Sequence, residues 1–135
     1  MLTLLNLEDC LETNFVTVEE TYTLKQLLSE AVAKSNRNVF PVVNHDQKLV
    51  GIVRLDDIRD IMFDITLYHK VTVATLMAKI STTIIIETDN AKTTMRKFQD
   101  SGAWNLPVIK EGKYIGFISK SKLLTAYRRK LISFA

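Results

Sequence analysis

The residues best equipped for chemistry gather where two glycine-bearing segments run into helices. The first junction reads Gly51-Ile52-Val53-Arg54-Leu55-Asp56-Asp57, the second Gly116-Phe117-Ile118-Ser119-Lys120-Ser121-Lys122. Arg54 and Lys122 are strong cationic donors that can contact phosphate directly, and they can equally fill or block a cleft. Asp56 and Asp57 stand where the dipole of a helix favours acids in the first turn, with no ligand required. Ser119 or Ser121 can serve as an N-cap. A late basic cluster comprises Lys120, Lys122, Arg128, Arg129 and Lys130. Arg128 to Lys130 read as a solvated face whose cations suit a helix C-terminus. For Lys120 and Lys122 an anion-binding surface is an equal alternative.

Serine, histidine and aspartate are all present, yet no nucleophile elbow, H-E-x-x-H, G-x-G-x-x-G or P-loop occurs, so no enzyme is expected. His45, in a turn, and His69, in a linker, lack the clustered partners a metal needs. Cys10 is the single cysteine. It excludes an intrachain disulfide and thiolate zinc sites, and suits a reducing compartment. Trp104 could stack on a base, but a buried core or dimer contact is preferred. Tyr22 reads as loop packing.

With 47% hydrophobic and 24% charged residues, the 135-residue chain has the proportions of an ordinary globular protein. The net charge of +3 is too mild for a dedicated nucleic-acid binder, and no nucleic-acid partner is expected. The longest uncharged run, Ser101 to Ile109, falls far short of the roughly 20 apolar residues that cross a bilayer. The opening residues lack a basic region and soon turn acidic, which makes a poor secretion signal.

The elements that must position these residues come twice. Phe40-Pro41-Val42-Val43 recurs as Leu106-Pro107-Val108-Ile109, and Leu49-Val50-Gly51-Ile52-Val53 as Tyr114-Ile115-Gly116-Phe117-Ile118. The only two prolines hold the same place in both copies. Upstream, Asn6 to Leu11 parallels Thr72 to Met77, each a capped helical turn. Phe15 to Val18 and Thr83 to Glu87 read as short strands rich in β-branched residues. Thr23 with Gln26 forms a capping box, followed by the apolar stripe Leu24, Leu27, Leu28, Ala31 and Val32. Asn90 caps the second helix, Met95 and Phe98 mark its stripe, and Gly102 suits its C-terminus. Each proline strand turns back in a hairpin, through Asn44 to Gln47 and through Lys110 to Lys113. Closing helices are expected over about residues 55–63 and 120–131. The fold class is therefore α+β: two β-α-β-β-α repeats packed as a pseudo-twofold pair, residues 1–70 with the linker and 71–135.

The proline strand, the hairpin and the glycine strand running into a helix resemble CBS (cystathionine-β-synthase-type) domains, which occur in tandem as one module. The resemblance covers nearly the whole chain, from Asn6 to Leu131. More narrowly, Phe40-Pro41-Val42-Val43 followed by Gly51 to Phe63, with the helix start Leu55-Asp56-Asp57-Ile58-Arg59, resembles the first CBS domain of bacterial ClC-type chloride channels and transporters. That family carries its CBS pair as a cytoplasmic tail behind a membrane domain, which this chain does not contain. The resemblance implies a regulatory and dimerisation module on the cytoplasmic side of the membrane, modulating chloride transport as a homodimer. The alternatives are an adenine-nucleotide sensor governing another protein and a ligand-free structural dimerisation tail. The closing-helix residues Ile58, Ile61, Met62, Leu123, Leu124 and Tyr127 are candidate dimer contacts.

The resemblance also implies where a nucleotide would sit. The family signature is Gly, two hydrophobics, Thr or Ser, two residues, then Asp, whose carboxylate accepts from both ribose hydroxyls. Asp57 fits the ribose position, but Arg54 replaces the hydroxyl. Ser119 fits the hydroxyl position, but Lys122 replaces the Asp and has no acceptor to offer. No cofactor is required. ATP, ADP or AMP are the candidate ligands, with Asp57, Ser119, Arg54 and Lys122 as the candidate cleft.

Overall fold

The computed structural model describes residues 5–134; the opening Met1 to Leu4 stretch, part of the segment read above as a poor secretion signal, lies outside them. The chain divides into two compact units that do not follow the repeats: residues 5–13 belong with 81–134, and Asn14–Ile80 forms the other.

In the Asn14–Ile80 unit, Thr23 caps α1 (Leu24–Leu27) with a complete capping box, its hydroxyl accepting from Gln26 N–H while Gln26 accepts from Thr23 N–H. The helix does not continue as a regular α-helix. It widens into a π turn over Leu28–Val32, where Ala33 N–H reaches the Leu28 carbonyl. The expected stripe survives: Leu24, Leu27 and Ala31 are buried, Leu28 and Val32 half-buried. Antiparallel β1 (Val39–Val43) and β2 (Leu49–Arg54) form the hairpin, with Pro41 opposite Ile52. The Asn44 side chain organises the turn by accepting from Asp46 and Lys48 N–H, and Gln47 takes a left-handed φ of 64°. The expected strand Phe15 to Val18 shrinks to one parallel bridge, Val18 beside Val42. Pro41 has no N–H to extend the pairing in that direction.

The closing helix α2 (Leu55–Ile58) is shorter than expected. Past Ile58 the chain tightens into successive three-residue turns, Ile61 N–H to Ile58 and Asp64 N–H to Ile61. Ile58 is fully buried, whereas Phe63 is 84% exposed. An apolar side chain that finds no core gives a helix nothing to pack. After a 3-10 turn at Ile65–Leu67 comes α3 (Val73–Leu76). Its N-cap residue Thr72 makes no side-chain cap, unlike Asn6 in the matching 3-10 turn Leu7–Cys10.

In the other unit, β3 (Ile84–Ile85) lies parallel to β4 (Asn105–Lys110), and β4 is antiparallel to β5 (Lys113–Ser119) with Pro107 opposite Phe117. Glu111 and Gly112, both with positive φ, make the two-residue turn that matches strand twist. Asn90 and Thr93 form a reciprocal capping box on α4 (Ala91–Ser101), and Gly102, at φ 70°, ends it. The closing helix α5 spans Lys120–Phe134.

Each hairpin finishes its free edge with the other repeat's helical turn. Glu12 exchanges both backbone hydrogen bonds with Phe117, and Ala78 does the same with Ile52. These contacts explain both junction glycines. A Cβ on Gly116 would stand 2.5 Å from the Glu12 carbonyl oxygen, and one on Gly51 2.6 Å from Met77 Sδ. The exchange also settles the cores. Leu5, Leu7 and Cys10 are buried with Phe98, Val108 and Leu123, while Val73 is buried with Phe40, Val53 and Ile58.

Candidate functional site

Arg54 ends β2 and occupies the N-cap of α2 without a side-chain cap. Leu55 N–H donates to the Asn38 carbonyl at 2.9 Å, which fixes the junction. Asp56 pairs with Arg59 on the same turn. Asp57 is exposed, and among the described residues its carboxylate forms no ion pair. With a single turn of helix behind them, these acids gain little from a dipole.

At the second junction the capping role predominates: Ser119 Oγ accepts from Lys122 N–H at 3.1 Å. One of its lone pairs thus serves α5, and the hydroxyl keeps a second lone pair and its proton. Lys120 N–H donates to the Trp104 carbonyl at 2.8 Å, and its ammonium lies 5.4 Å from the Trp104 ring centroid. Trp104 is 71% exposed, so of the two expectations, core residue or dimer contact, the first fails; the Lys120 ammonium lies over the indole. Lys122 is exposed, on the face of α5 nearest Cys10. Burial pushes the Cys10 thiol up, with Lys122 opposing it. Arg54 and Asp57 thus belong to one unit, Ser119 and Lys122 to the other.

Among the predicted contacts, Ile58 and Leu123 are fully buried in their own cores and present nothing to a partner. Leu124, also among the predicted contacts, is exposed, as are Phe63, Ile65, Ile85, Trp104, Leu131 and Ile132. Tyr22 packs half-buried against the Asn14–Ile80 core, as expected of a loop residue. Sequence reasoning passed over Asp89, beside the Asn90 cap. Its carboxylate accepts from Ile85 N–H at 2.8 Å, Thr93 Oγ1 at 2.8 Å and Lys97 Nζ at 2.6 Å. Burial alone would raise this carboxyl, but the three donors and the Lys97 charge hold it below the ordinary value. Lys97 lines a polar hollow of about 420 Å3 with Ser81, Thr83 and Asp100, but its ammonium is already engaged by Asp89 and the Thr83 carbonyl. Among the described residues no cluster of histidine, cysteine or carboxylate could hold a metal, and no helix is long and apolar enough to cross a membrane.

Two hairpin-centred repeats, each entering a helix from its glycine strand, define a tandem regulatory module of a kind that is generally not catalytic. The family model for the CBS domain matches residues 7–64 and again 73–129, and the chain belongs to that family with two copies. The CBS domain of a bacterial CNNM/CorC family Mg2+ transporter, solved in complex with ATP, has the same fold at a TM-score of 0.74 and 18% identity, over 93% of this chain and 88% of that one. The protein CBSX2, solved in complex with AMP, matches at 0.70 and 22%, over 90% and 95%. In sequence, the homoserine O-acetyltransferase of Methanococcus vannielii is 28% identical over 117 residues, 86% of this chain. The chain spans only 23% of that relative's length.

Proposed function

We propose that this CBS pair is the cytoplasmic regulatory tail of a ClC-type chloride channel or transporter, working as a homodimer. The observation that carries the reading is the first junction, where Leu55-Asp56-Asp57-Ile58-Arg59 opens α2 in the manner of that family's first CBS domain. The mechanism is mechanical. A change in tail packing shifts the conformational equilibrium of the membrane domain, and an effector contributes only by binding the two arrangements with different affinity. The exposed Leu124, Leu131 and Ile132 on α5 supply apolar surface for the partner protomer.

The test is ion flux through the full-length transport protein reconstituted in vesicles, with the module intact, deleted, or carrying Leu131→Asp with Ile132→Asp. Altered chloride flux in both variants supports the reading. Mg2+ flux that responds while chloride does not overturns the chloride assignment, and flux indifferent to the module overturns the regulatory one.

A second reading, an adenine-nucleotide sensor, draws support from the ATP and AMP complexes of the structural relatives. It rests on Asp57 for the ribose, because Lys122 offers no acceptor. A saturable rise in melting temperature with ATP, ADP or AMP, lost in Asp57→Ala, would establish it.

A further inference from the structure

On α5, Lys122, Thr125 and Arg129 are spaced by three and four residues and share one face. The 3-10 turn Leu7–Cys10 lies against this face. Between them is a hollow of about 230 Å3, lined by Asp9, Cys10, Ser121, Lys122, Thr125 and Arg129. Its polar inventory is two cations, two hydroxyls and one carboxylate. Among the described residues, neither Lys122 nor Arg129 has a carboxylate within 4 Å, Asp9 included. Lys97 and Lys110 of this unit are paired, with Asp89 and Glu8. What sets Lys122 and Arg129 apart from the unit's other unpaired cations is that both line one hollow.

The geometry points to a binding site for a compact phosphate-type oxyanion in this hollow, held by the Lys122 ammonium and the Arg129 guanidinium, with the Ser121 and Thr125 hydroxyls as further donors. Size argues for a small ion. Pockets for drug-sized ligands begin at about 300 Å3. At 230 Å3 the hollow takes a tetrahedral anion with a few waters of about 30 Å3 each. Chemistry argues the same way, because the lining is rich in donors and Lys122 cannot serve a ribose. The ligand is thus distinct from an adenine nucleotide, and the site does not depend on which protein the module governs. Free inorganic phosphate and the phosphate group of a larger molecule share this chemistry.

The test is thermal unfolding of the full chain titrated with inorganic phosphate and, separately, with glycerol phosphate, at ionic strength fixed with sodium chloride. A saturable rise in melting temperature is expected with phosphate. Lys122→Gln and Arg129→Gln should each weaken apparent binding at least about tenfold, the loss of one charge-assisted hydrogen bond, while Lys122→Arg retains it. Both positions are exposed, so equal melting temperatures in anion-free buffer will show that the variants fold. Tighter binding of glycerol phosphate assigns the site to a phosphoester, and weaker binding to the free ion. No rise with either anion, an equal rise with added chloride, or a rise unchanged in both glutamine variants overturns the site. None of these outcomes touches the flux experiment, so the two proposals fail separately.

Discussion

In the Asn14–Ile80 unit the glycine strand runs into one turn of helix bearing Asp56 and Asp57; in the other unit the matching strand runs into the long α5, bearing Lys120 and Lys122. In the hairpins just upstream of that point the two units agree closely. Pro41 faces Ile52 as Pro107 faces Phe117, and both hairpins carry an irregularity just past the proline strand's middle, after Val42 and after Val108. The difference teaches where a duplicated fold is free to diverge. The central residues of the hairpin strands are buried, so their substitution costs core packing. The first turn of a closing helix is exposed and can reverse its charge at little cost.

The glycines offer the hardest test of this equivalence. Gly116→Ala combines a φ of 152°, which L residues rarely adopt, with a backbone oxygen 2.5 Å from the new Cβ. A loss of about 3 kcal/mol is expected in urea denaturation. Gly51→Ala meets only the flexible Met77 side chain and should cost about 1 kcal/mol, and most of that cost should vanish when the same change is made in a Met77→Ala background. Equal costs at the two glycines would show that backbone strain does not separate the units.

A second contrast lies before the long helices. Asp89 precedes the Asn90 cap, whereas Tyr22 precedes the matching cap Thr23. Asp89→Asn should cost about 2 kcal/mol, because Lys97 then loses its charged partner at a mostly buried site. The folded-state carboxyl titrates below its unfolded value. Its contribution is therefore complete above the ordinary carboxylate range and fades as pH falls through the folded value. Hydrogen exchange at strongly acidic pH, below the ordinary carboxylate range, should show α4 losing protection before α1, and Asp89→Asn should abolish that order.

The caps themselves should tie. Thr23→Ala and Asn90→Ala each remove one side of a complete capping box and should each cost about 1 kcal/mol by the same denaturation assay. At the small end stands Tyr114. Its hydroxyl is buried without a hydrogen-bond partner, and burial pushes its phenol well up. Tyr114→Phe should raise stability, by up to about 1 kcal/mol, whereas a loss would reveal a partner for the hydroxyl.

Much of this fold could be read from the chain because it is written in local chemistry. Both capping boxes, the helix end at Gly102 and the two hairpins follow from short-range spacing. What spacing could not convey was partnership across the chain. Asn6 to Leu11 and Thr72 to Met77 read correctly as helical turns, but nothing in their periodicity says that each completes the opposite repeat. For the same reason the purpose of Gly51 and Gly116 stayed hidden: the atoms they make room for are far away in sequence. The overlong first closing helix had the opposite cause: Phe63 carries an apolar signal that the packing does not use, and Ile61 reaches the core from a turn instead of a helix. At the candidate site the residue types were legible, but the capping duty of Ser119 emerged only from its geometry.

The exchanged turns also impose a schedule on synthesis. Every part of the Asn14–Ile80 unit has been made once Ile80 is added, so this unit can close early. Residues 5–13 are made before that unit, yet the edge that receives Glu12 lies on Phe117. At about 5–20 residues per second, this segment waits about 5–20 seconds for its partner strand. During that interval Leu5, Leu7 and Cys10 have no core to enter, which makes this stretch the place where a chaperone, or a neighbouring nascent chain with an open β5 edge, would find its opportunity.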